Sequence, residues 1–133
     1  MVIREYFTDK ELSCNCGCGL LPDQDSVERL YALRVILRAP VYITSAARCP
    51  AHNKTVGGTT GSIHLPWHSR AEVSRSWRGA AFDIGKKTWD GGHITRSQII
   101  SEAILLGFTG LGISKDFIHL DDARRPEITV WSY

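Results

Sequence analysis

Apolar residues between Asp25 and Arg38 recur with helical spacing. In "DSVERLYALRVILR", Val27, Leu30, Leu33 and Leu37 share one face, which predicts an amphipathic helix ended by Pro40. A second helix is predicted over "TRSQIISEAILLGF". Thr95 and Gln98 form a capping box there, Ile99, Ile100, Ala103 and Ile104 supply a buried stripe, and Gly107 is the stop. Thr8 and Glu11 give "TDKELS" the same box for a short helix, and "RCPAHNKTVGG" reads as a turn and a short helix halted by Gly57 and Gly58. Five β-branched or apolar runs read as short strands: "VYITSA", "AAFDIG", "GLGIS", "DFIHLD" and "EITVWSY". The expected fold class is α+β, a single domain with two main helices flanking a small, mostly antiparallel sheet.

The 133 residues suffice for one core, and 43% hydrophobic with 23% charged residues is ordinary for a globular chain. A net charge of +2, from 16 basic and 14 acidic side chains, gives no strong field for nucleic acid. No apolar run approaches the roughly 20 residues that span a bilayer, so no membrane partner is expected. The start, "MVIREYFTDKEL", lacks the apolar stretch of a signal peptide, so synthesis in the cytoplasm is expected. Cys14, Cys16 and Cys18 alternate in "SCNCGCG", with Cys49 apart. That spacing differs from a C-x-x-C zinc turn and reads as a glycine-rich loop with buried or free thiols; a structural metal or a link to Cys49 are the alternatives.

Two polar residues interrupt apolar strands. Asp83 lies between Phe82 and Ile84, and His119 between Ile118 and Leu120, so alternation points each away from its neighbours. A carboxylate directed into a covered site is costly unless paired or bound to metal. Singly, these residues read as a salt bridge and a satisfied core histidine. His64 and His68 stand four apart, as two zinc ligands on a helix would, but "HLPWH" lacks the glutamate of H-E-x-x-H and Pro66 disfavours a helix through the pair.

Taken in order, Ser62-x-His64, Gly79-x-Ala81-x-Asp83 and Asp116-x-x-His119-x-Asp121 resemble the zinc D-alanyl-D-alanine carboxypeptidase and L-alanyl-D-glutamate endopeptidase family, whose fold the hedgehog signalling domain shares. "YITSAARCPAHNKTVGG", "GLGISKDFIHLDDAR" and "VWSY" extend the likeness to the family, and the cysteine-bearing "ELSCNCGCG" resembles the start of its phage-type cell-wall peptidases, so the resemblance runs from Tyr6 to Tyr133. The resemblance implies one catalytic Zn²⁺ held by His64, Asp83 and His119, with a position left for water whose pKa falls towards roughly 7. It implies Asp116 as the general base and Arg48 as the group that meets an oxyanion or a substrate carboxylate. Ser62 is expected to bind substrate or cap a turn, and Asp121 to orient a ligand histidine or form a surface salt bridge.

In the family the first histidine and the aspartate lie seven positions apart; here they are nineteen apart, so an insertion of about twelve residues is expected at 65–76. That insertion, with Trp67, His68, Arg70 and Arg75, reads as a solvated loop or as a rim over the cleft. Trp77, Trp89 and Trp131 read as packing residues. The resemblance implies a monomeric enzyme acting on peptidoglycan stem peptides after release or delivery, or as a virion component. A carboxypeptidase or a non-catalytic zinc-stabilised wall-binding module are the alternatives.

Overall fold

The computed structural model describes residues 6–70 and 79–133. The latter part of the expected insertion, with Arg75, lies outside the described residues, as does Trp77, which follows it. Helix α1 is Asp9–Leu12, and its Thr8–Glu11 capping box is formed. Helix α2, Gln24–Leu37, buries all four residues of its apolar face. Its bounds lie within one residue of the expected Asp25 to Arg38, with Arg38 as the C-cap. Pro40 keeps Ala39 out of the α region, and the chain turns left-handed at Arg38, with φ 55°.

Strand β1 (Ile43–Ser45) leads to α3 (Pro50–Thr55), whose N-cap is Cys49. A 3₁₀ turn at Trp67–Ser69 follows. Strand β2 (Ala81–Gly85) and the short helix α4 (Lys87–Asp90) precede α5 (Arg96–Leu106). In α5 the Thr95–Gln98 box and the left-handed Gly107 cap are both present, as their residue types predict. Its buried stripe is narrower than expected: Ile99 and Ala103 are fully buried, whereas Ile100 and Ile104 only border the core.

Strands β3 (Gly110–Ile113), β4 (Phe117–Asp121) and β5 (Thr129–Ser132) complete a sheet of order β1-β2-β4-β3-β5. Every neighbouring pair is antiparallel except β3 with β5. One sheet face carries Phe82, Ile84, Leu111, Ile118 and Leu120, all fully buried in the core with α2 and α5. Burial of each such side chain contributes about 1.5–3 kcal/mol. With that face fixed, the register leaves the intervening residues of β2 and β4 no choice but the opposite face.

Candidate metal centre

One row of directly paired residues crosses that opposite face. Ser45 pairs with Asp83, Asp83 with His119, His119 with Gly112, and Gly112 with Trp131. His64 reaches the row from the turn after α3. His64 Nε2 and His119 Nδ1 approach the same oxygen, Asp83 Oδ1, at 3.1 and 3.2 Å. One ligand atom from each of His64, Asp83 and His119 lies within 4.8 Å of the others. His68 is outside this group, exposed on the 3₁₀ turn.

The remaining ring nitrogens are held from behind. His64 Nδ1 lies 2.6 Å from the carbonyl oxygen of Ala46, and His119 Nε2 lies 2.7 Å from Asp121 Oδ2. Donation along these bonds fixes His64 as the Nδ1–H tautomer and His119 as the Nε2–H tautomer. The two lone pairs then face each other across the Asp83 carboxylate. Two imidazole lone pairs and an anionic oxygen gathered in one place repel unless a cation or a proton sits among them. Two nitrogens and one oxygen are a donor set suited to Zn²⁺ with one position left over, so the residues fit the metal.

Electrostatics separates the two histidines. Burial lowers the pKa of His64 despite the pull of Asp83, favouring the neutral imidazole that binds metal. Burial acts in the same direction on His119, but its hydrogen bonds to Asp121 and Asp83 outweigh it and raise the pKa. Burial would raise Asp83, yet hydrogen bonds with His119 and His64 hold it well below the usual carboxylate range. Asp121, fully buried, is also opposed by burial but brought down to about 2 by His119 and Arg125. It accepts from the Arg125 guanidinium through both oxygens and from the backbone N–H of Ala123 at 3.2 Å. Asp121 thus orients the histidine, and its ion pair with Arg125 is buried rather than on the surface.

The chain on either side of residues 71–78 meets at Arg70. Its Nε donates to the carbonyl of Leu65 at 3.1 Å, and Nη2 donates to the carbonyls of Ile63 at 3.0 Å and Gly79. The carbonyl of His64, between the first two, accepts from the Arg48 backbone N–H at 2.8 Å. Three consecutive carbonyls are therefore occupied, and the backbone around His64 is clamped to the residue where β2's approach begins. Gly79 is needed at that return point: its φ is +142°, and a Cβ would lie 2.7 Å from the Ala123 nitrogen.

A cavity of about 450 Å³ opens over the group, bordered by Arg48, Ser62, Phe117, Trp131 and Tyr133 as well as by His64, Asp83 and His119. Arg48 Nη1 contacts Asn53 Oδ1 at 3.4 Å, while its buried Nε has no hydrogen-bond partner among the described residues. Burial lowers its pKa against the opposing charge of Asp83, and a guanidinium with so high an ordinary value stays charged. Ser62 Oγ accepts from the His64 backbone N–H at 3.2 Å. Asp116 is exposed in the turn between β3 and β4; its carbonyl accepts from Lys86 N at 2.9 Å. Its side chain is not part of the three-residue group.

Trp131 is a packing residue at the cavity rim, as expected, whereas the place of Tyr133 there was not read from the sequence. Trp131 packs on His119 with ring centroids 5.2 Å apart. Gly112 makes room for it, since a Cβ there would meet the indole at 2.6 Å, and Gly110 does the same for the Asp121 carboxylate at 2.4 Å. The available signal was the G-x-G of β3 set against the H-x-D of β4. Trp67 and His68 border a second cavity of about 320 Å³, which also reaches His64.

Among the described residues no helix is long and apolar enough to cross a membrane. Comparison with curated proteins and with solved structures finds no match. The chain does match the family model described as Peptidase M15 over residues 5–121, a span containing His64, Asp83 and His119. With that match and a two-histidine, one-aspartate site suited to zinc, the chain belongs to the peptidase M15 family of zinc metallopeptidases.

Proposed function

We propose that the protein hydrolyses peptidoglycan stem peptides between L-alanine and D-glutamate. The observation that carries this reading is Arg48, a charged group beside the metal ligands whose buried Nε has no partner among the described residues. Stem-peptide D-glutamate is linked onward through its side chain, so its α-carboxylate stays free beside the scissile bond. Arg48 binds that carboxylate, and its charge also favours the oxyanion that forms on the carbonyl. Ser62, whose oxygen already accepts from His64 N, has its O–H left to donate to a substrate carbonyl.

Zinc in the His64–Asp83–His119 set supplies a Lewis acid that polarises the carbonyl and acidifies water. Asp116 takes the water's proton and returns it to the leaving amine. It precedes Phe117, a cavity residue, and stands three positions before His119, which supports this role. Phe117, Trp131 and Tyr133 form an aromatic wall along which the peptide lies. The enzyme works as a monomer and reaches the wall by release from the cytoplasm or as part of a virion.

Digestion of purified walls by the zinc-loaded protein tests this. Mass spectrometry should find new D-glutamate amino termini and L-alanine carboxyl termini. Release of free D-alanine instead would assign a carboxypeptidase, which also needs a carboxylate beside the scissile bond. Absence of any product from walls of several types would leave only a binding module. Asp116→Asn should retain zinc and lose roughly 10²–10⁴-fold in turnover.

A further inference from the structure

A second group of metal-binding side chains lies outside the hydrolytic site. Cys14, Cys16, Cys18 and Cys49 each bring a sulfur within 4.8 Å of the others. Three of the separations are 3.4 Å for Cys14–Cys16, 3.6 Å for Cys16–Cys49 and 3.8 Å for Cys14–Cys49. A zinc ion with bonds of about 2.3 Å to four sulfurs sets tetrahedral edges of about 3.8 Å. The three sulfurs thus form a nearly equilateral triangle of the size of one tetrahedral face, with Cys18 near enough to supply the apex. Disulfides would draw sulfurs into pairs about 2.05 Å apart. Here Cys14 is close to two others at once, and all four cysteines are free.

The backbone is arranged around the sulfurs. Cys49 N–H donates to Cys14 Sγ, and His52 N–H to Cys49 Sγ, each at 3.4 Å. Backbone N–H groups directed at sulfur are the outer partners that a metal-bound thiolate accepts. Gly17 and Gly19, with φ of +88° and +84°, turn the loop back on itself, and Cys14 N–H donates to the Leu20 carbonyl at 2.9 Å to close it. The alternate cysteine spacing is thereby folded so that residues 14, 16 and 18 converge rather than point along a strand.

We propose that these four cysteines bind a structural zinc ion, distinct from the one at His64, Asp83 and His119. Four thiolates close the coordination shell and leave no position for water or substrate. Loading displaces the thiol protons. The ion joins the loop at 14–18 to the connection between β1 and α3, where Cys49 follows Arg48 directly and caps the helix carrying Asn53, the Arg48 partner. Asn15 Nδ2 donates to the Thr44 carbonyl at 3.0 Å, and Ala47 N–H to that of Leu12 at 3.3 Å, along the same seam. Its consequence is to hold Arg48 in place from behind.

Metal content decides the matter independently of whether walls are cleaved. Zinc-loaded, desalted protein prepared under reducing conditions should contain two zinc ions per chain by elemental mass spectrometry. Both Cys16→Ser/Cys18→Ser, at exposed positions, and His64→Ala/His119→Ala should contain one. Cobalt loading of the unaltered protein, which needs no variant, should give a thiolate-to-cobalt charge-transfer band. That band should persist in the histidine variant and vanish in the cysteine variant. One zinc per chain with no thiolate–cobalt band would overturn the proposal. So would a non-reduced intact mass lower by two hydrogens per pair of cysteines after aerobic purification with zinc, because the sulfurs would then be disulfides.

Discussion

Replacing Arg70 with methionine removes the guanidinium while keeping much of the aliphatic stem, and so isolates the clamp between the backbone around His64 and Gly79. The side chain is almost wholly buried and donates to the carbonyls of Ile63, Leu65 and Gly79. Each charged hydrogen bond is worth about 1.5–3 kcal/mol, a gross value of roughly 4–9 kcal/mol for the three. The cost of taking a guanidinium out of water offsets much of this, so a net loss of about 2–4 kcal/mol is expected. For a chain of this size the melting temperature should fall by roughly 6–15 °C. Two of the freed carbonyls flank His64, so the histidine should also lose its fixed approach to Asp83. If about 1.4 kcal/mol of the loss falls on that placement, zinc affinity drops tenfold. Thermal unfolding by circular dichroism and a chelator competition titration measure the two effects. Arg70→Lys should rescue neither, since one ammonium lacks the planar fork that reaches three carbonyls. A melting temperature within about 2 °C of the unaltered protein, with unchanged zinc affinity, would refute the clamp.

Other substitutions and conditions separate the remaining parts of the site. Asp121→Asn weakens the bond that fixes the His119 tautomer and should lower zinc affinity by roughly 10–100-fold in the same titration; equal affinity would show that Asp121 serves only its ion pair with Arg125. Gly112→Val puts a side chain where the Trp131 indole lies, so tryptophan fluorescence should shift and activity should fall with zinc still bound; an unchanged spectrum would remove the packing argument. The raised pKa of His119 means that the metal-free fold is stabilised by the protonated ring below the ordinary value of 6.5, and loses that contribution as pH rises through the folded value. Zinc must displace this proton, so the rise in melting temperature on adding zinc should shrink as pH falls from 8 to about 5.5. A zinc effect that does not vary with pH would contradict the hydrogen-bond assignment.

The residues that could be read directly were those whose chemistry is local. Capping boxes at Thr8 and Thr95, the stop at Gly107 and the face of α2 depend on neighbours within one or two helical turns, and all are formed. Asp83 and His119 were legible because strand alternation separates them from apolar neighbours, and those neighbours are fully buried. The end of α2 was legible to within one residue because Pro40 restricts the residue before it, but the left-handed reversal at Arg38 was not. The surplus residues of the α5 stripe were assigned by periodicity, but how much of a face is covered depends on what packs against it.

Within the sequence, the resemblance to the zinc peptidase family supplied His64, Asp83 and His119 as the candidate donor set, and strand alternation set the sheet face that Asp83 and His119 take. Only the tertiary structure decided that His64 and Asp83, nineteen positions apart, meet. Their meeting depends on Arg70 gathering the carbonyls at both ends of the intervening segment and on the β2–β4 register setting Asp83 opposite His119. It likewise decided the grouping of the four cysteines, since Cys14 and Cys49 approach through the seam between the N-terminal loop and β1. Such contacts join residues that no local period relates; their partners are chosen by packing, and packing exists only once the chain has closed on itself.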